Sequence, residues 1–581
     1  MINQVKNAFY DSNYSLCFTL CENILKQNPE DTLAIHLAAI SSLKINHELS
    51  GQYYVQAYNS NPQFFFFLLK IAKDLEGAKE TFALADSLGD SATPFKAEAI
   101  KELAETYKAL NETDRVDEAY TILLRYAPKN LDFWWEFSSF YFGINPSKSL
   151  DICIECHNYL LEYIKSIQEE KKEEQEGGVK PLQEVLDSTS YEAVRIQEFL
   201  NTRLDVRIAQ LFLETFQDSK ALEMFFSIQD FNKDDAEFWR NFARALEYSG
   251  HYAESEQAYR NAIENDRHPT YKFDLAYLLM RQGNFSEGVE LYENRLSYAN
   301  LAVFSLKHYN QAVEAFLKDP KFLHKKNVFV YCEQGFGDTM IYSRGLEELC
   351  RVAKKVLFAP QSALYPLFDH SLKILNKDKN SPFKNLELLK EVPENKEFDY
   401  GIPICSIPYF CKIDEVSKFN NLKTPIIPRE KDKNKKKTKK VGIFWYTEFD
   451  ADRNRRNLDL NFILECLKDT PYEIVSLQIG GINLPENVKN VGQNLKDWMD
   501  TREALGDIDC LITIDNAISH LGLILEIPTI ILLKKRFDWK YGLYEDPKTL
   551  FYSKNSYPVV CEDEMKDTVE KVQKILKQTL D

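Results

Sequence analysis

One segment in the second half of the chain reads Val328-Phe-Val-Tyr-Cys-Glu-Gln-Gly-Phe-Gly-Asp-Thr-Met-Ile-Tyr-Ser-Arg-Gly-Leu346. It opens with an apolar run of strand length, breaks at Gly335 and Gly337, and resumes with apolar residues at helical spacing. A strand, a tight glycine-rich turn and a helix form the first unit of a doubly wound sheet. The segment therefore predicts an α/β domain whose ligands gather at the carboxyl ends of its strands.

The glycine-rich turn places a carboxylate at the mouth of the predicted crevice. Gly335 and Gly337 let the backbone approach a ligand closely, because glycine has no Cβ. A helix that begins near Asp338 would direct its first N–H groups to the same place. Asp338 is therefore either a helix cap, a common role for Asp, or a catalytic carboxylate, and Glu333 is the second acid of this turn.

Further strand-like runs alternate with helical ones through the rest of the chain, which is typical of α/β sheets. The predicted strands are Val328–Cys332, Lys355–Phe358, Phe398–Ile402, Val441–Trp445, Ile474–Gln478, Cys510–Ile514 and Pro528–Leu533. A lysine-rich run at 429–440 divides them and is either an exposed linker or a patch for nucleic acid or an anionic membrane. We interpret it as a linker and expect two Rossmann-like lobes at 325–428 and 441–581, with a last helix near 562–578.

Residues 1–310 have the pattern of paired helices, with small residues at interlocking positions. The clearest unit, 239–262, has Trp239, Gly250 and Tyr259 where a tetratricopeptide repeat places tryptophan, glycine and an aromatic residue. Gly250 and Gly283 are 33 residues apart, which is close to the tetratricopeptide period of about 34 residues. We therefore expect a solenoid of helical repeats before the α/β lobes.

Length and composition limit the class of protein. A chain of 581 residues predicts several domains, and a net charge of −17 argues against a general nucleic-acid binder. We find no apolar stretch of membrane-spanning length and no signal peptide. Eleven cysteines without a secretion signal indicate reduced thiols, so we expect a cytoplasmic protein and interpret the pair Cys153 and Cys156 as core residues.

A second strand-to-helix turn lies near the end of the chain, where Asp515-Asn-Ala-Ile-Ser-His520 follows an apolar strand. Small residues and exposed helix N–H groups at such a position suit a pyrophosphate. His520 lies in the first helical turn, where it either donates a hydrogen bond to a phosphate or caps the helix without any ligand.

With these features, the chain resembles tetratricopeptide-repeat proteins that carry a GT-B glycosyltransferase domain. That domain is related to the heptosyltransferases of glycosyltransferase family 9. The segments that carry the resemblance are Glu333–Asp338, Val441–Trp445 with Arg453–Arg456, Ser476–Gln478, and Asp500–Thr501 followed by Ile514–Leu521. One departure is Asn516, which stands where the family usually has threonine. It replaces a hydroxyl contact to phosphate, although an amide can also donate a hydrogen bond.

The resemblance implies an inverting, metal-independent transfer of a sugar from a nucleotide-sugar donor, with no cofactor. It assigns the general base to Asp338 and the acceptor side of the turn to Glu333, Gly335 and Gly337. The donor-binding positions that follow from it are Arg453, Arg455, Arg456, Gln478, Asp515, Asn516, Ala517 and His520. Helix N-termini and cations would then stabilise the leaving diphosphate in place of a metal.

A metal site is the alternative for the loop after Val441–Trp445. Glu448, Asp450 and Asp452 could hold a hard cation such as Mg²⁺ through oxygen ligands, or they form a solvated acidic loop beside the arginines. Because the resembled family works without a metal, we expect none.

The acceptor is expected to be a protein, because helical repeats make an extended concave surface suited to polypeptides. Relatives with this layout glycosylate bacterial flagellin, so flagellin or another surface protein is the acceptor that the resemblance suggests. Two other functions stay open at this point: a heptosyltransferase that acts on a lipopolysaccharide core, and a repeat scaffold with an inactive transferase domain. A nicotinamide dehydrogenase is disfavoured, because the turn lacks a third glycine at dinucleotide spacing.

Overall fold

The computed structural model describes most of the chain and divides it into two compact units, Met1–Asn232 and Lys233–Asp581. The residues it describes are 2–45, 52–53, 56–57, 60, 97, 100–101, 104–105, 107–108, 113–177, 193–297, 303–393, 397–429, 438–448, 456–480, 483–552, 554–561 and 565–580. Within them, no helix is both long enough and apolar enough to cross a membrane.

The first unit is helical in the residues described. Its helices are α1 (Ile2–Tyr10), α2 (Tyr14–Leu25), α3 (Thr32–Lys44), α4 (Thr113–Tyr126), α5 (Leu131–Phe142), α6 (Pro146–Gly177), α7 (Asp205–Glu214) and α8 (Asp218–Ile228). Cys153 and Cys156 on α6 are buried and unbridged in its apolar core, which agrees with their interpretation as core residues.

The second unit opens with helices that form the predicted pairs. They are α9 (Ala236–Tyr248), α10 (Tyr252–Asn265), α11 (Pro269–Arg281), α12 (Phe285–Tyr292) and α13 (Val303–Lys318). Gly250 ends the turn between α9 and α10 at φ +79°, and Gly283 does the same between α11 and α12 at φ +85°. Both values lie in the left-handed region that favours glycine, which explains why this residue recurs at the repeat spacing.

A four-stranded parallel sheet follows, in the order β3-β2-β1-β4. Its strands are β1 (Asn327–Tyr331), β2 (Lys355–Ala359), β3 (Leu386–Leu388) and β4 (Tyr400–Pro403). The helices around it are α14 (Phe336–Tyr342), α15 (Gly345–Val352), α16 (Tyr365–Leu375), α17 (Ile407–Phe410) and α18 (Val416–Asn420). Because β2 and β4 lie on opposite sides of β1, the strand order reverses at β1, and the glycine-rich turn leaves the sheet at that point.

A six-stranded parallel sheet completes the unit, in the order β10-β9-β8-β5-β6-β7. Its strands are β5 (Lys440–Phe444), β6 (Glu473–Ser476), β7 (Val488–Asn490), β8 (Cys510–Ile514), β9 (Thr529–Leu533) and β10 (Ser556–Val560). Its helices are α19 (Leu460–Cys466), α20 (Trp498–Gly506), α21 (Ala517–Ile524) and α22 (Met565–Leu580). The order reverses between β5 and β8, so a ligand crevice is expected where these two strands end.

All seven predicted strands are present within one or two residues of their predicted bounds. The predicted linker lies mostly outside the described residues, which omit 430–437. Arg429, at its start, is half-buried and donates a hydrogen bond to the carbonyl of Ile508.

Candidate functional site

The turn after β1 brings Asp338 into the first turn of α14. The N-cap of this helix is Gly335, and no side chain caps it. Asp338 lies three residues further on, with 21% of its side chain exposed. The carboxylate of Asp338 therefore does not cap α14.

Gly337 packs directly against the helix that follows β8. A Cβ at this position would lie 2.9 Å from Cδ2 of His520 and 3.4 Å from Cα of Ala517. Nothing comparable surrounds Gly335, where the nearest atom would be a carboxylate oxygen of Asp338 at 3.5 Å. Only the second glycine is needed for a close approach, and that approach joins the turn after β1 to the turn after β8.

Lys540 connects the two sheets beside this contact. Its Nζ donates a hydrogen bond to Oδ1 of Asp338 at 3.2 Å and lies 3.2 Å from Oδ1 of Asp538. Burial alone would lower the pKa of Lys540, but the carboxylates of Asp338, Asp538 and Asp515 outweigh it and hold that pKa well above its ordinary value. The ammonium is thus a permanent positive charge next to the candidate base.

The turn after β8 is held by buried polar contacts. Asp515 is 7% exposed and accepts a hydrogen bond from the hydroxyl of Tyr541 at 2.8 Å, and its second carboxylate oxygen lies 3.8 Å from Nε of Arg456. Asn516 is the N-cap of α21, where its Oδ1 accepts from the backbone N–H of Ser519 at 3.1 Å and from the hydroxyl of Thr513 at 3.3 Å. Its Nδ2 is buried with no hydrogen-bond partner among the described residues.

His520 lies in the first turn of α21, 2% exposed, with its ring stacked on Tyr552. Burial first, and then the nearby cation Lys540, lower the pKa of His520 to about 3. The ring is therefore neutral near pH 7 and can donate only one N–H. Its Nδ1 is buried and has no hydrogen-bond partner among the described residues, so a ligand at this turn would find two unsatisfied polar groups, this nitrogen and Nδ2 of Asn516.

The predicted donor residues after β5 and β6 have different surroundings. Oε1 of Gln478 accepts hydrogen bonds from the backbone N–H groups of Trp445 and Tyr446 at 3.2 and 3.0 Å, and its Nε2 donates to the carbonyl of Tyr446 at 2.8 Å. Its amide thus shapes the loop after β5. Arg456 reaches the turn after β8, whereas Arg453 and Arg455 lie outside the described residues.

The alternative metal loop cannot be placed, because Asp450 and Asp452 lie outside the described residues. In the part of the chain that is described, no group of three or more His, Cys, Asp or Glu is arranged to hold a metal ion.

Glu333, the second acid of the first turn, is buried in an ion pair. Its side chain is 3% exposed, and its Oε1 accepts a hydrogen bond from Arg295 at 2.7 Å. The same guanidinium also bonds Glu293 at 2.8 Å and the hydroxyl of Ser406 at 2.8 Å. Glu333 therefore links the end of the helical repeats to the first sheet and is not exposed to a substrate in this structure.

The sequence reasoning missed the short 3₁₀ turn Trp539–Tyr541, which brings Lys540 and Tyr541 to the site. Arg281 on α11 holds this segment: it donates to the carbonyls of Gly542 at 2.6 Å and Phe537 at 2.9 Å, and pairs with Glu247 at 3.0 Å. The available signal was the position of the segment, because it directly follows β9 at the carboxyl edge where ligands bind.

Comparison with known proteins gives structural likenesses only. The chain matches no family model and no curated protein. Among solved structures, the E. coli ADP-heptose lipopolysaccharide heptosyltransferase II is similar over 43% of this chain and 99% of its own, with 10% identity and a TM-score of 0.30. A glycosyl transferase family 9 protein from Veillonella parvula is similar over 44% and 98%, with 12% identity and a TM-score of 0.28.

A third likeness covers a larger part of the chain. The O-GlcNAc transferase of Thermobaculum terrenum is similar over 66% of this chain and 91% of its own, with 10% identity and a TM-score of 0.21. These proteins are of the kinds that the motifs resemble.

Proposed function

We propose that this chain is an inverting, metal-independent glycosyltransferase that moves a sugar from a nucleotide-sugar donor to a protein acceptor. We assign residues 1–310 to a solenoid of repeats, 325–428 to an acceptor lobe of GT-B type, and 441–581 to the nucleotide-sugar lobe, with 429–440 as the linker between them. The observation that carries the proposal is the meeting of Asp338 and Lys540 beside a helix N-terminus with unsatisfied polar groups.

In the proposed reaction, Asp338 takes the proton from the attacking acceptor group as a new bond forms at the anomeric carbon. The bond from that carbon to the diphosphate breaks on the opposite face, and the diphosphate leaves with the bonding electrons. Lys540 neutralises the charge that develops on the leaving group, together with the N–H groups of α21. Lys540 also holds the carboxylate of Asp338 in place through its hydrogen bond of 3.2 Å.

A thermal-shift series tests the donor part of this proposal. The full chain is melted with millimolar ADP, GDP, UDP, CDP and CMP, and with their sugar conjugates. We expect one nucleotide family to raise the melting temperature, because a ligand that binds only the folded state stabilises it. A chain that none of these compounds stabilises would contradict the proposal and favour the inactive scaffold.

The acceptor part is tested by comparing the full chain with a chain that begins at Lys233, where the second compact unit begins. We expect the full chain to glycosylate a surface protein such as flagellin, and the shortened chain to retain donor binding while losing this acceptor. Equal transfer to the protein by both chains would show that the first unit does not hold it. Transfer to a lipopolysaccharide core instead would support the heptosyltransferase alternative.

A further inference from the structure

A cavity of about 380 Å³ lies next to the candidate site, between the repeat helices α9 and α11 and the carboxyl edge of the second sheet. On the sheet side it reaches Asp515 at the end of β8 and Arg456 beyond β5, the two strands between which the order reverses. A doubly wound sheet binds its ligands at this reversal. The volume lies within the range of about 300–1,000 Å³ that is usual for small-molecule sites.

The wall of this cavity carries more positive than negative side chains. Six basic residues line it, against the four acidic residues Glu247, Asp274, Asp515 and Asp538. The basic residues are Arg240, Arg244, Arg281, Arg456, Lys534 and Arg536. The charge therefore suits an anion, and the excess comes from both the repeats and the sheet.

Helix spacing explains how the repeats contribute. Arg240, Arg244 and Tyr248 follow one another every four residues on α9, so they lie on one face of that helix. Two ion pairs connect α11 to α9. Asp274 on α11 lies 2.6 Å from Arg240, and Arg281 on α11 lies 3.0 Å from Glu247. These ion pairs fix the two helices against each other.

Aromatic rings accompany the charges. The guanidinium of Arg536 lies 4.3 Å from the ring centroid of Tyr248, and that of Arg281 lies 4.1 Å from the ring centroid of Tyr544. Tyr277 and Trp539 add two further rings, with their centroids 6.2 Å apart. Flat aromatic surfaces beside cations suit a nucleobase joined to phosphates, since bases stack on aromatic side chains.

We infer that this cavity binds the nucleoside diphosphate part of the donor, so that the last repeats form one wall of the donor site. The inference rests on the proposed function and adds to it a role for α9 and α11 that is separate from holding a protein. A polypeptide acceptor would need an extended groove, whereas this cavity has the size of a small molecule. Arg281 ties the same wall to the segment of Lys540, so the wall and the catalytic cation are positioned together.

The test measures nucleotide affinity by calorimetry on the full chain with Arg244→Gln, on the repeat wall, and Lys534→Gln, on the sheet wall. The probes are ADP, GDP, UDP and CDP, with inorganic pyrophosphate alongside. The matched control is Arg267→Gln, which removes an exposed arginine of the same repeats that does not line the cavity. We expect Kd for the bound nucleotide to rise about tenfold in each cavity variant, the scale of one charge-assisted hydrogen bond, and to stay unchanged in the control.

Three outcomes separate this inference from the proposed function. If the wild-type chain binds no nucleotide, both the proposed function and this inference are wrong. If the wild type binds and Arg244→Gln matches Arg267→Gln, the repeats are no part of the donor site whatever Lys534→Gln does, while the enzyme proposal stands. Should Arg244→Gln fail to fold, Arg244→Lys replaces it as the variant of the repeat wall, because lysine keeps the charge but lacks the planar guanidinium. Lys534→Gln then still tests whether the cavity holds the nucleotide.

Discussion

The turn after β1 and the turn after β8 both lead from a buried parallel strand to a short helix at the carboxyl edge of a sheet. In the first, no side chain caps the helix, and Asp338 is partly exposed with a lysine beside it. In the second, Asn516 caps the helix, and Asp515 and His520 are almost fully buried. The proposed function divides the roles in the same way, since it assigns the general base to the first turn and the binding of a phosphate to the second.

The largest effect is expected at the first turn, from Asp338→Asn. The amide keeps the size of the side chain but cannot take a proton, so turnover should fall about a hundredfold or more, the usual scale for a general base. Nucleotide affinity and melting temperature should change little, because Asp338 does not cap α14 and Lys540 keeps its contact with Asp538.

Steady-state kinetics and calorimetry measure both parts of this prediction, with Asp546→Asn, an exposed acid beside Lys548, as the control. Transfer near the wild-type rate would make Asp338 structural. Glu333 would then be a poor substitute, because it is buried in its ion pair with Arg295.

The second effect concerns pH and the buried ring of the second turn. His520 has a folded-state pKa of about 3, below the ordinary value of 6.5. As the pH falls below 6.5, the unfolded chain takes up this proton first, so stability is lost progressively down to about pH 3. At pH 5 the loss from this group alone amounts to about 2 kcal/mol.

His520→Gln should remove that contribution while keeping a polar side chain of similar length. Melting temperatures of both proteins at pH 7 and pH 5 measure it, and the wild type should lose more on acidification than the variant. An equal loss in both would mean that His520 takes up its proton in the folded state near the ordinary pKa.

The third effect compares the two glycines of the first turn. Gly337→Ala places a methyl group 2.9 Å from the buried ring of His520, and overpacking of this kind costs about 1–3 kcal/mol. Gly335→Ala is the matched control, because the new atom would meet nothing closer than 3.5 Å. Thermal melting should show a clearly lower temperature for Gly337→Ala, and equal values would mean that the two turns separate easily.

Much of this architecture follows from the sequence, and the exceptions have physical reasons. The long apolar strands were predicted, whereas β3 and β7 have three residues each and lie at sheet edges, so neither has an apolar run to detect. The final strand β10 was missed as well, and it is the other edge of its sheet. A short edge strand forms because it pairs with a neighbouring strand, and the periodicity of its own sequence does not reveal that pairing.

The same distinction applies to the site. Asp338 and His520 could be predicted as candidate site residues because each lies in a strand-to-helix turn with local spacing rules. Lys540 was not found, because its contact with Asp338 joins residues 202 positions apart and depends on the whole fold. Gln478 shows the opposite difficulty: its position in a motif indicated a ligand contact, while its amide bonds the backbone of the neighbouring strand end.

The smallest effect is expected from Asn516→Ser at the second turn. Serine caps a helix about as well as asparagine, so the cap of α21 should survive and the melting temperature should change little. The substitution removes the buried Nδ2, which has no hydrogen-bond partner among the described residues and which we expect to donate to the phosphate. Losing one such hydrogen bond should raise the nucleotide Kd about fivefold.

Calorimetry with the nucleotide that the wild type binds provides the measurement. The matched control is Asn130→Ser, the same substitution at the N-cap of α5 in the other compact unit, where Asn130 accepts from the N–H of Asp132. A Kd equal to that of Asn130→Ser would mean that the amide of Asn516 only caps its helix. The second turn would then hold a phosphate through backbone N–H groups and His520 alone, and the departure from the family's threonine would have no consequence for the donor.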